Sequence, residues 1–307
     1  MSSPTTEIAV AFVVREKFSW ALASLRRLYA IAGAPFTLYF VEGFYPPAVL
    51  AEIDAFLAGK DNVVRIQAGR FLYPNEALNL VIERFTEPWL CLLQNDVMIS
   101  GGILAQFLKS ARALDCGLLM PATLDVEQGA PALHRETDAA WDIVETAGRA
   151  AVVVVDEPEI RHGCMATWQF EKHCLFMSGA AARAVWPLPP LNTREHIDLA
   201  MRLKRGGFTG YLDPLAQAMY VPTPPMPLRD FECDYFRFRW DMLRARQSHD
   251  YVRETWHIDE LQDAMRFCAD QNRALTPQAV LRNYTAVSEL APWPEQFALS
   301  GLQASRV

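Results

Sequence analysis

Three things are scarce in this 307-residue chain. Positive charge is in deficit: 29 Lys and Arg against 36 Asp and Glu leave a net charge of −7. That removes the overall electrostatic case for nucleic-acid binding. Cysteine pairs are missing too, since the six cysteines at 91, 116, 164, 174, 233 and 268 form no C-x-x-C. The N-terminus, Met1-Ser-Ser-Pro-Thr-Thr-Glu7, has no basic stretch followed by an apolar one. The thiols are therefore expected to be reduced in a cytoplasmic protein, with Cys91 and Cys174 acting as small buried hydrophobes. Long apolar runs are the third absence, because none approaches the roughly 18 residues that cross a bilayer. No internal repeat or low-complexity tract is visible either. What remains is 51% hydrophobic and 21% charged, as in ordinary globular enzymes. This length can bury one large α/β core, with or without an appendage.

The run Ile8–Val14 is apolar and β-branched throughout, which predicts a central parallel strand buried on both faces. Leu22, Leu25, Leu28 and Tyr29 give Phe18–Ala32 helical spacing. A second strand is expected over Phe36–Val41, then a helix opened by Pro46 and Pro47, then a short strand over Asn62–Ile66. Tyr73 and Pro74 start a helix carrying Leu78, Val81, Ile82 and Phe85. Trp89–Leu93 reads as a buried strand that stops at Gln94, Asn95 and Asp96. Ser100 is the expected N-cap of a helix burying Ile103, Leu104 and Phe107, and Cys116–Met120 is a further strand.

Beyond that point residues 126–150 are mixed and polar, and a loop with a short helix is expected there. Ala150–Val155 and His173–Met177 read as strands. Asn192 and Thr193 are expected to cap a helix from Arg194 to Arg205, ended by Gly206 and Gly207 before a strand over Phe208–Leu212. Pro222, Pro224, Pro225 and Pro227 mark a linker, and the remainder reads as mainly helical. The fold class that follows is α/β: a Rossmann-like, mostly parallel sheet flanked by helices, over residues 1–225, with a helical C-terminal extension over 226–307.

In an open α/β sheet, ligands bind just outside the carboxyl ends of the strands. Val14 and Arg15 end the first strand, Glu42 the second, and Gln94, Asn95 and Asp96 the fourth. A carboxylate in that position can hold a divalent cation against a phosphate, or can simply start a turn. Glu195 and Asp198 share one helical face, and Arg202 one turn on offers Asp198 a structural ion pair. Phe231–Arg239, with Tyr235, Phe236 and Phe238 among arginines, is either an aromatic platform or a helix packed back on the core.

Taken together, these motifs resemble the family 2 nucleotide-sugar glycosyltransferases, which have the GT-A fold. Gln94-Asn95-Asp96 stands where the family has Asp/Asn-x-Asp, and Ala77-Leu78-Asn79 matches its Ala-x-Asn. Glu195-His196-Ile197-Asp198-Leu199, Arg202 and Gly207-Phe208 match Glu-Asp-x-Asp-Leu, Arg and Gly-aromatic at all but one position. The resemblance spans roughly residues 7–225.

It implies transfer of a sugar from a nucleoside diphosphate donor, UDP-sugar by default, to an unknown glycan, lipid-linked or small-molecule acceptor, with inversion. Asp96 would bind Mn2+ or Mg2+, although Gln94 leaves the site one carboxylate short. Val14, Arg15, Glu42, Tyr73, Asn79, Gln94 and Asn95 would contact the donor. The family's general base is the second residue of Glu-Asp, here His196, with Glu195 the alternative and Asp198 in the same group. A histidine is a competent base near neutral pH. The family's later metal-binding His has no counterpart in Ala218–Pro222. Two rivals are a GT-A-like protein that binds nucleotide or glycan without catalysis, and a nucleotidyltransferase. The second would need a Gly-rich loop after the first strand, and Val13–Phe18 has no glycine.

Overall fold

The computed structural model describes residues 6–127, 130–133, 140–146, 149–220, 228–258, 268–269 and 280–281. The chain begins β1 (Ile8–Val13), α1 (Ala21–Ile31), β2 (Thr37–Glu42), α2 (Pro47–Leu57), β3 (Val63–Gln67), α3 (Pro74–Ile82) and β4 (Trp89–Gln94). It continues through β5 (Val97–Ile99), α4 (Ile103–Leu114), β6 (Leu118–Glu127) and β7 (Ala130–Leu133). A hairpin of β8 (Ala140–Thr146) and β9 (Arg149–Val155) follows, then β10 (Ile160–Arg161), β11 (Cys164–Ala166), β12 (Cys174–Ser178) and α5 (Gly179–Val185). The last elements are α6 (Glu195–Arg205), β13 (Gly210–Tyr220), β14 (Leu228–Arg229), α7 (Cys233–Arg239), α8 (Met242–Trp256) and β15 (Val280–Leu281).

The main sheet runs β10-β11-β13-β6-β12-β4-β1-β2-β3. The strands from β3 to β4 are parallel, as are β13 and β6, and antiparallel β12 is inserted between β4 and β6. β1 shows why it is central. Ile8, Val10 and Phe12 join one core with Leu25, Leu28, Ile53 and Phe107, the layer of α1, α2 and α4. Ala9, Ala11 and Val13 join the opposite core with Leu78, Val81, Leu199 and Met201, the layer of α3 and α6. The period of two along the strand sends alternate side chains to the two cores. Each large apolar side chain so enclosed contributes about 1.5–3 kcal/mol.

The helices beyond residue 228 share these cores. Tyr235 of α7 belongs to the first, and Val252 and Trp256 of α8 to the second. A small third cluster holds Leu228, Phe236, Trp240, Ala245 and Cys268. The proline cluster at 222–227 lies outside the described residues.

Three local expectations are corrected. Residues 126–150 are strand rather than loop and short helix wherever they are described: the end of β6, then β7, β8 and the start of β9. In β8 only Ala140 and Ile143 are buried, so its sequence carries no clean alternation. Ser100 does not cap α4. Gly102 takes the cap position in a left-handed conformation, and Ser100 Oγ instead accepts from the backbone N–H of Gln217 at 3.1 Å. Nor do Asn192 and Thr193 cap α6, because Arg194, at φ +62°, holds that position with no side-chain cap. Asn192 spends its amide on the carbonyls of Arg239 and Asp241 and accepts from Ser248 Oγ at 2.9 Å. Among the described residues no helix is long and apolar enough to cross a membrane.

Candidate functional site

β1 and β4 are neighbours in register, with Val13 opposite Gln94, so the residues just beyond them meet. Asn95 stitches the two ends together: its Oδ1 accepts from the Arg15 N–H at 2.9 Å and its Nδ2 donates to the Lys17 carbonyl at 2.7 Å. Beside it Arg15 Nη1 donates to Asp96 Oδ2 at 3.3 Å, and Arg15 Nη2 lies 3.1 Å from Glu16 Oε1. Arg15, Glu16, Lys17 and Asp96 are all buried. Burial pushes the Asp96 carboxyl up, against the pull of Arg15. Lys17 is lowered to about 8 by burial, although Glu16, Asp96 and Glu232 act to raise it. Buried charges persist only when paired in this way.

Residues 228–240 close over this cluster. Glu232 accepts from the Ser19 N–H at 2.8 Å and from Ser19 Oγ at 2.7 Å. The Tyr235 hydroxyl lies 3.3 Å from the Val14 carbonyl and 3.0 Å from that of Leu72. The ring of Phe238 stacks on Tyr73 at 4.3 Å between centroids. Of the two readings of this aromatic stretch, the packed helix is what the structure contains. Arg237 faces outward with Asp234, but Arg239 turns inward and is buried.

Val14, Arg15, Gln94, Asn95 and Asp96 are thus gathered, with Tyr73 joined through the closing helix. Glu42 ends the neighbouring strand in an ion pair with Arg65 at 2.9 Å. Gln94 does not face the Arg15 cluster's cations: its Oε1 meets His173 Nδ1 at 2.9 Å, and His173 Nε2 lies 3.1 Å from Glu171. An amide suits that partner, a physical reason for Gln at this position. Asn79 is elsewhere, clamping Leu188 with Nδ2 to its carbonyl at 2.8 Å and Oδ1 to its N–H at 2.9 Å.

The three helix residues of the second motif part company. Asp198 is buried and accepts from Trp256 Nε1 at 2.9 Å and Arg202 Nε at 2.8 Å, the structural ion pair with Arg202 that the helix spacing offers. Glu195 is buried against Arg239 Nη2 at 3.0 Å. Burial pushes its carboxyl up, but Arg239, Lys172 and His196 outweigh that and hold it below the ordinary value. His196 is half-buried and edge-on to Phe170, with centroids 6.4 Å apart. It lines an open cleft of about 200 Å³ with Trp141, Trp168, Gln169 and Phe170.

Sequence reasoning missed Glu16, Lys17, Lys172, His173, Glu232 and Arg239. Glu16 and Lys17 directly follow the first strand and could have been found there. The others are brought in by contacts 44 to 213 positions apart.

A divalent cation does not suit this donor set as it stands. Such ions take about six or more oxygen ligands, several of them carboxylate. Among the described residues no three Asp, Glu, His or Cys side chains gather as a metal-binding group. Asp96 Oδ1 and Glu16 Oε2 accept no hydrogen bond, but the same two carboxylates already hold a guanidinium. His249 lies on α8, half-buried and 3.8 Å from Asp250.

No family model and no curated protein matches the chain. Solved structures do. GalNAc-T7 with UDP, GalNAc and Mn2+ gives a TM-score of 0.55 at 9% identity, covering 87% of this chain and 54% of that one, so the chain spans about half its length. Mannosyltransferase PcManGT from Pyrobaculum calidifontis, with GDP-Man and Mn2+, gives 0.55 at 11% identity, covering 89% and 70%. S. aureus TarS 1–349 with UDP gives 0.51 at 11% identity, covering 81% and 72%. At such identities the likeness is one of fold, and the fold is GT-A.

Proposed function

We propose that this GT-A-fold protein is a nucleotide-sugar glycosyltransferase whose donor diphosphate binds at the carboxyl ends of β1 and β4. One observation carries the reading. The strand order steps from β1 to β2 to β3 on one side and returns to β4 on the other. Arg15, Glu16, Lys17 and Asp96 cluster where that order reverses, the place where open α/β sheets bind ligands. The motif order of the sequence supports family 2 within this fold, and UDP is the default nucleoside diphosphate.

Arg15 and Lys17 supply positive charge for the donor in a chain that is negative overall. With Tyr235 and Phe238 over Val14 and Tyr73, the donor enters once residues 228–240 withdraw. The acceptor hydroxyl then attacks the anomeric carbon from the face opposite the diphosphate. The new C–O bond forms as the old one breaks, the diphosphate leaves with the electron pair, and the hydroxyl proton passes to a base. Of the two candidates His196 is favoured, because Glu195 is held as a carboxylate of lowered basicity by Arg239. The aromatic cleft at His196 suits a carbohydrate acceptor, since sugar rings lie against Trp and Phe faces. Six free, buried thiols support work in a reducing compartment.

Calorimetry with UDP, GDP, TDP and CMP, followed by a donor-hydrolysis assay, tests this. Binding of one nucleotide with hydrolysis of its sugar is expected, as is loss of transfer with retained donor binding in His196→Ala. No binding across the panel overturns the reading. Binding without turnover across a broad donor panel favours the non-catalytic rival, which the closed site and the Glu195–Arg239 pair support.

A further inference from the structure

We propose that Arg15 is the resident cation of this site and stands in place of a divalent metal ion, so that donor binding is independent of metal. The inference rests on the donor-site reading above, and it concerns which positive charge the site uses.

Arg15 is held from both ends. Its backbone N–H donates to Asn95 Oδ1 at 2.9 Å, which fixes the residue at the tip of β4. Its two terminal nitrogens go to two different carboxylates, Nη1 to Asp96 at 3.3 Å and Nη2 toward Glu16 at 3.1 Å. All three side chains are buried, at 7%, 0% and 1% exposure. A planar fork bridging two carboxylates is the geometry guanidinium supplies and an ammonium does not. The charge is also permanent, because guanidinium stays protonated at any working pH.

A divalent ion at Asp96 would sit against this guanidinium at low effective dielectric, where like charges repel strongly. It would have to use Asp96 Oδ1 and Glu16 Oε2 while the other oxygen of each carboxylate stays with Arg15. The sequence points the same way. The acidic residue absent at position 94 is replaced by an amide whose oxygen serves His173 at 2.9 Å, so no second strand-end carboxylate is on offer there. Glu16 restores the carboxylate count from the end of β1, but it meets the other terminal nitrogen of Arg15. The two carboxylates therefore position a cation that belongs to the chain.

The test uses the full chain and Mn2+ alone, followed by calorimetry and by electron paramagnetic resonance of free Mn2+. Wild type is expected to show no stoichiometric uptake at millimolar Mn2+. Arg15→Gln, which takes the guanidinium away from Glu16 and Asp96, is expected to take up one Mn2+. Gln94→Asp, which restores the missing acidic residue but keeps Arg15, is expected to take up none. One Mn2+ bound by wild type and lost in Asp96→Asn overturns the proposal. So does uptake by Gln94→Asp, or a folded Arg15→Gln that gains nothing. Should Arg15→Gln fail to fold, the wild-type and Gln94→Asp arms decide alone. UDP affinity in EDTA, expected within about twofold of that in Mn2+, extends the test. UDP failing to bind in both conditions rejects the donor reading, whereas binding only with Mn2+ rejects the role of Arg15.

Discussion

Glu232 and Ser19 are 213 positions apart, yet one carboxylate oxygen of Glu232 accepts both the backbone N–H of Ser19, at 2.8 Å, and its hydroxyl, at 2.7 Å. The other oxygen takes the Arg229 N–H at 2.8 Å. The segment 229–232 is thereby bolted to the turn after β1, within electrostatic reach of Lys17. Replacing Glu232 with Ala leaves these buried donors unpaired, at about 3 kcal/mol by the scale of hydrogen bonds to charged groups. Chemical denaturation should register that loss. Limited proteolysis should find residues 228–240 more readily cut than in wild type.

Asn79 is expected to behave as a clamp. Both ends of its amide are committed to Leu188, so Asn79→Ala should destabilise the fold by about 2 kcal/mol. Nucleotide affinity, measured by calorimetry below the melting transition, should be unchanged. A selective loss of nucleotide binding in a variant of normal stability would return Asn79 to the donor site.

Lys172 gives the protein a dependence on alkaline pH. It is fully buried, donates to Asn75 Oδ1, and faces Glu195, Asp198 and Arg239. Burial lowers it from 10.5 to about 8, and the two acids only partly offset this. Between those two pH values the unfolded chain holds a proton that the folded chain has released, so stability rises with pH across that window. Lys172→Met should lack this rise. The stability difference, wild type minus variant, is expected to grow in favour of wild type from pH 8 toward pH 10 by on the order of a few kcal/mol. A difference that stays flat with pH would mean the lysine is not desolvated.

All six cysteines are free and buried. Burial pushes Cys116 up to about 12 and Cys164 and Cys268 up to about 11. Thiols in that range are almost entirely protonated at pH 8 and inert to disulfide reagents. A colorimetric thiol titration at pH 8 should find fewer than about one reactive group in the native protein and all six after denaturation. Rapid reaction of several native thiols would contradict the burial.

Much of the architecture was readable in the residues. Ile8–Val13 and Trp89–Leu93 announced themselves as buried strands because a strand covered on both faces has no polar position to hide. The helices after them were equally plain from the apolar stripe each turns toward the sheet. Strand β9 was legible in Ala150–Val155, but its partner β8 escaped because it is half-exposed and its alternation is broken. The start of α6 was read to within one residue, but its cap was misassigned because Asn192 found better partners in the carbonyls at 239 and 241.

The candidate site divides along the same line. By itself the sequence determined that Asn95 and Asp96 follow the end of β4 and that Arg15, Glu16 and Lys17 follow β1. Continuous apolar runs fix where strands stop, and polar residues must begin there. Only the tertiary structure decided what those residues do with one another. Arg15 bridges Glu16 and Asp96, His173 claims Gln94, and Glu232 and Tyr235 close the roof. Such pairings form because a buried charge or amide takes whichever partner the packed chain brings within about 3 Å. That choice is made by sheet order and by a helix arriving more than 200 residues later, and no local pattern around Asp96 encodes it.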